Sequence, residues 1–177
     1  MHFDLPTLAT LLAVAAAAPS KRQDSACATN AVATLSTLTQ EVQTLETSVE
    51  NISAENVFTS TPTVLNAVIA NIRTLANGPG LPCDTELSAD EQQEICDAAS
   101  AFVTANMKLV QALGDQKGLL AVTPLSAAVR EVGRNLEAAM DSFLLPIVDS
   151  TPACGASVQE LGQALNEEFI DLLDTYQ

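Results

Sequence analysis

One pattern dominates this chain: apolar residues return every three or four positions for segment after segment. In the first, Ala28, Ala31, Leu35, Leu38, Val42, Leu45, Val49 and Ile52 form a single stripe along about seven helical turns, with Thr, Ser, Gln and Glu on the other faces. A stripe of that kind is stable only when covered by other helices. No stretch alternates with a period of two, and aromatic residues make up only 3 % of the chain. The expected fold is therefore all-α, a single bundle of about five mostly antiparallel amphipathic helices joined by short connections.

The other segments carry their own boundary signals. Thr61-Pro62 reads as a cap followed by proline at the first helical position, leading into Leu65, Val68, Ile69, Ile72 and Leu75. Asn77-Gly78-Pro79-Gly80 breaks the chain. Ser88 and Glu91 have the spacing of a capping box, before Ile95, Ala99, Phe102, Leu109, Val110 and Leu113. Thr123-Pro124 predicts a fourth start, carrying Leu125, Val129, Val132, Leu136, Met140, Phe143 and Leu144, with Pro146 as a kink or stop. Ser157 and Glu160 predict a second capping box, before Leu161, Leu165, Phe169, Leu172 and Tyr176.

The N-terminus reads as a targeting segment. Leu8–Ala18 is an apolar run too short to span a bilayer, small residues follow it, and Lys21-Arg22 is a dibasic cleavage signal. Residues 1–22 are expected to be a signal peptide with a short pro-segment, and residues 23–177 one helical domain. No later run has the length or apolarity of a transmembrane segment or a C-terminal anchor. The expected location is extracellular, with cell-wall association open. Four cysteines suit two disulfides in that setting, and Asn51-Ile52-Ser53 is a glycosylation sequon at Asn51. Following the helices up and down places all four cysteines at one end of the bundle. Of the three connectivities, Cys83–Cys96 with Cys27–Cys154 is the favoured pairing.

Residue types exclude several function classes. The formal net charge is −15, from 7 basic and 22 acidic residues, with no basic cluster to neutralise phosphates, so nucleic acid is not an expected partner. The one histidine, His2, lies in the segment expected to be removed, which leaves no base for a serine or cysteine nucleophile. Neither an EF-hand nor a phosphate-binding loop is present, so no metal and no cofactor are expected. The acidic run from Cys83 to Glu94 is explained by carboxylates near a helix N-terminus. An enzyme is not expected.

What remains is apolar surface. It serves as an ordinary bundle core, or it leaves a groove or tunnel for an alkyl chain. Candidate lining residues are Phe102, Met107, Leu136, Met140, Phe143, Leu144 and Phe169. Val57 and Phe58 in one connection, and Leu119, Leu120 and Val122 in another, are candidates for a lid or a surface-wetting tip at the end away from the cysteines. Lys108, Lys117 and Arg130 are candidates for pairing with a carboxylate head group, or else belong to a solvated face.

The dibasic site, the opening ATNAVATLSTLTQEVQTLETSVENI and the closing FLLPIVDSTPACGASVQELGQALNEEFIDLLDTY resemble the fungal hydrophobic-surface-binding protein A family, which includes cell-wall galactomannoproteins. The resemblance spans Ala28 to Tyr176 and rests on helix order and texture. It implies a secreted, non-enzymatic helical bundle that adsorbs to hydrophobic surfaces or binds fatty acids in a central tunnel. The four cysteines match no pattern of that family. The alternative function is a structural or antigenic wall protein, or a secreted effector acting on a host protein.

Overall fold

The computed structural model describes residues 26–84, 86–121 and 125–177. All regular structure among them is helical: α1 (Ala26–Glu50), α2 (Val57–Leu75), α3 (Ala89–Asp115), α4 (Lys117–Leu120), α5 (Ser126–Ser150) and α6 (Gly155–Thr175). These are five long helices and one single turn, α4. The stripe of α1 is buried along its whole length, from Ala28 through Val49 to Ile52. The expected cleavage region, the Thr123-Pro124 start and Val122 lie outside the described residues.

Local side-chain chemistry caps the start of α3. At α3 the Ser88 hydroxyl accepts from the Glu91 N–H at 3.3 Å, and the Glu91 carboxylate accepts from the Ser88 N–H at 2.7 Å. Two expected starts shift. The second helix begins at Val57, not at Thr61, so Pro62 sits inside it. Asn56 organises the preceding turn: its Oδ1 accepts from the Ser53 N–H at 2.8 Å, and burial of Val57 extends the helix backwards. The last helix begins at Gly155, ahead of Ser157, and the Ser157 hydroxyl donates to the Cys154 carbonyl. The predicted second capping box does not form there, because the turn after α5 is tight: the Thr151 carbonyl accepts from both Cys154 N and Gly155 N, so helical bonding has begun before Ser157. Pro146 does not stop α5, which continues to Ser150.

Helices α1 and α2, and α5 and α6, pack antiparallel. Asn71 of α2 donates to Glu41 of α1, and along α5 and α6 Gly155 abuts Val148 while Gly162 faces Leu144. The bundle is not antiparallel throughout, however. Cys96 and Cys154 join the starts of α3 and α6, and the Tyr176 hydroxyl donates to the Leu113 carbonyl at 2.7 Å near their ends, so these two helices run side by side in the same direction. Helix α3 is the central element, packed on α1, α6 and α5.

The expected disulfide pairing is wrong. The bonds are Cys27–Cys83 and Cys96–Cys154. Cys96 is buried on the face of α3 that meets the start of α6, where the Ala153 N–H donates to Gln92 Oε1 at 3.0 Å and the Gln92 carbonyl lies 3.2 Å from Cys154 Sγ. The first turn of α1 lies against the loop after α2, with the Gly80 carbonyl 3.4 Å from Cys27 Sγ. All four do lie at one end of the bundle.

Candidate functional site

The sequence candidates fall into two groups. The first is an interior cluster. Phe102 of α3, Leu136, Met140, Phe143 and Leu144 of α5, and Phe169 of α6 are all buried in one continuous core, with Met107 half-buried against it. They meet because each occupies the apolar stripe of its helix, and the three stripes converge where α5 and α6 close over α3. Phe102 and Phe143 pack as a tilted pair with ring centroids 5.4 Å apart and an interplanar angle of 60°.

The second group lies away from the cysteines. Val57 is buried, and Phe58 beside it is 65 % exposed. Leu120 is fully buried and Leu119 is half-buried against the core, so α4 is a packed turn covering that region, not a loop with its leucines in solvent. Lys108 and Lys117 are exposed and Arg130 is half-buried. None of the three belongs to the interior cluster. Asn51 is exposed at the end of α1, with its Nδ2 donating to the Thr47 carbonyl at 2.8 Å.

Two features escaped sequence reasoning. An open groove of about 380 Å³ runs between α5 and α6, walled by Leu144, Leu145 and Val148, with Asp141 and Asp149 on its rim and Gly162 beneath it. Leu145 is 62 % exposed there. The missing signal is the absence of a side chain at Gly162, which matters only once α5 lies over it. The other feature is Asn106, wholly buried in α3 one turn beyond Phe102. Its signal was available: the stripe steps directly from Phe102 to Leu109, so a polar residue occupies a core register.

Burial at the α3–α6 contact pushes the Tyr176 phenol up to about 12. Among the described residues no group of three or more His, Cys, Asp or Glu is placed to hold a metal ion. No helix among them is long and apolar enough to cross a membrane.

No protein-family model matches the chain, and no curated protein does. The fold is similar to that of a solved structure. Ligand binding domain 2 of the Penicillium marneffei MP1 protein, in complex with arachidonic acids, superposes with a TM-score of 0.66 at 14 % sequence identity. The match covers 89 % of this chain and 97 % of that domain. At that identity the likeness establishes a common helical architecture.

Proposed function

We propose that this chain is a secreted, non-catalytic binding protein that holds fatty-acid-like ligands in the apolar interior between α3, α5 and α6. The observation that carries this reading is the shared fold with a domain in complex with arachidonic acids, extending over nearly all of that domain. The composition of the interior supports it. Phe102, Phe143 and Phe169 supply rigid walls, and Met140 with Met107 supplies unbranched side chains that repack at little cost. Disulfides tie the opposite end, which leaves the end capped by α4 as the side free to open.

Native mass spectrometry of protein purified from its own host tests the proposal, with displacement of a fluorescent fatty acid from delipidated protein as the second measurement. A co-purified or displaceable fatty acid is expected. Met140→Trp, which fills the interior, is expected to abolish binding while helicity is retained. Protein that takes up no alkyl ligand in either assay refutes the reading.

Adsorption to hydrophobic surfaces is a second activity within the same proposal. Its supporting observation is the 65 % exposure of Phe58 at the tip of the bundle.

A further inference from the structure

Asn106 has no exposed surface. Its Nδ2 donates to the Phe102 carbonyl at 2.9 Å, which fixes the orientation of the amide, since the flipped form would set two oxygens against each other. The Oδ1 has no donor from the protein. A buried acceptor left unpaired lowers stability, and an apolar residue at this register would avoid that loss.

Among the described residues three other buried oxygens share this condition: Thr61 Oγ1, Asn71 Oδ1 and Ser150 Oγ. Asn71 reaches Glu41 at the α1–α2 contact. Thr61 and Ser150 lie in α2 and in the last turn of α5. Asn106 alone is on the central helix, adjoining the Phe102–Phe143 pair on the stripe that lines the candidate interior.

The free edge of its amide presents an acceptor, Oδ1, beside the second N–H of Nδ2. A hydroxyl satisfies the acceptor, and a protonated carboxylic acid satisfies both positions. A carboxylate offers no donor to Oδ1, and burying its charge requires a cation. Lys108 and Lys117 are exposed and Arg130 is half-buried, outside the buried cluster. We infer that Asn106 anchors the head of the ligand, and that this head is an uncharged hydroxyl: that of a long-chain alcohol or of a protonated fatty acid. The inference rests on the ligand-binding reading above and adds an orientation, with the polar end inward, and a selection rule.

The test uses the full, delipidated protein and four probes of one chain length: hexadecanol, its methyl ether, hexadecanoic acid and its methyl ester. Methylation deletes the donor and keeps the chain. Measured at about pH 4, where an aliphatic carboxylic acid is largely protonated, each hydroxyl probe is expected to bind about tenfold more tightly than its methylated partner, the value of one net hydrogen bond. Asn106→Leu is expected to bring that ratio close to one, and Asn106→Ala serves if the leucine variant does not fold. A donor effect confined to the alcohol pair, or to the acid pair, supports the anchor and identifies that source.

If wild-type protein binds none of the four, the proposed function fails, and the anchor with it. If it binds all four with equal affinity, alkyl binding stands and the anchor is overturned, leaving a trapped water as the partner of Oδ1. A hydroxyl preference that survives in both variants also overturns it.

Discussion

Removing the disulfides pair by pair separates the connectivity of this bundle from its alternatives and gives a stability scale. Cys27–Cys83 and Cys96–Cys154 span 56 and 58 residues, and the two loops do not overlap. Closing loops of that length restricts the unfolded chain by about 4 kcal/mol each, so the two contributions should be similar and additive. The alternative pairing, Cys83–Cys96 with Cys27–Cys154, encloses a short loop inside a long one and would give about 3 and about 5 kcal/mol. Packing adds an asymmetry. Cys96 is buried whereas Cys27, Cys83 and Cys154 are half-buried, so Cys96→Ala with Cys154→Ala should cost about 1 kcal/mol more than Cys27→Ala with Cys83→Ala, through the lost sulfur volume. Guanidinium unfolding followed by far-ultraviolet circular dichroism measures the stabilities. Titration of free thiols under denaturing conditions decides the pairing, because each double variant should contain none. Two free thiols in the Cys27/Cys83 double variant would refute the connectivity and the helix packing from which it follows.

Other substitutions test particular contacts. Gly155→Ala would place a Cβ 2.7 Å from the Val148 carbonyl oxygen, so the α5–α6 corner must open, and thermal unfolding should register a loss of about 1–3 kcal/mol. Gly162→Ala meets only the Leu144 Cδ1 at 3.3 Å, a side-chain end that can move; the gain in helix propensity, about 1 kcal/mol, should offset the contact and leave stability unchanged or slightly raised. Tyr176 titrates at about 12 in the folded protein against 10.0 in the unfolded chain, so its contribution is complete below pH 10 and is lost as the pH rises from 10 to 12. Tyr176→Phe should cost about 1 kcal/mol at neutral pH through the lost bond to the Leu113 carbonyl, and should flatten the alkaline limb of stability against pH. Leu120→Ser should destabilise by about 2–4 kcal/mol because Leu120 is fully buried, whereas Phe58→Ser should change stability by less than about 0.5 kcal/mol and reduce adsorption at an oil–water interface. Adsorption unaltered by Phe58→Ser would remove that tip from the surface-binding proposal.

The sequence carried the fold wherever a signal was local. The α1 stripe and the Ser88–Glu91 capping box need only residue spacing, and both stand in the structure. Thr61-Pro62 and Ser157–Glu160 have equally good spacing and mark no helix start. In each case tertiary contact supplies an earlier start: Val57 is buried ahead of Thr61, and the tight turn at Thr151 commits Gly155 to the helix before Ser157. Disulfide pairing depends on which helices become neighbours. The parallel packing of α3 on α6 brings Cys96 to Cys154, and that contact has no counterpart in either local sequence.

The candidate interior shows the same division more sharply. Hydrophobic spacing identifies Phe102, Met140, Phe143 and Phe169 as inward-facing, but spacing is equally consistent with a filled core and with one that accepts a chain. A residue that breaks the pattern is more informative than those that keep it. Asn106 follows Phe102 by one turn at a position where leucine would pack without an unpaired acceptor, and its only protein hydrogen bond is to its own helix. That bond stabilises no contact between helices, so cohesion of the bundle does not account for the asparagine. A polar ligand head accounts for it, and hydroxyl selectivity therefore decides between a core that is merely tolerant of a buried amide and a site built around one.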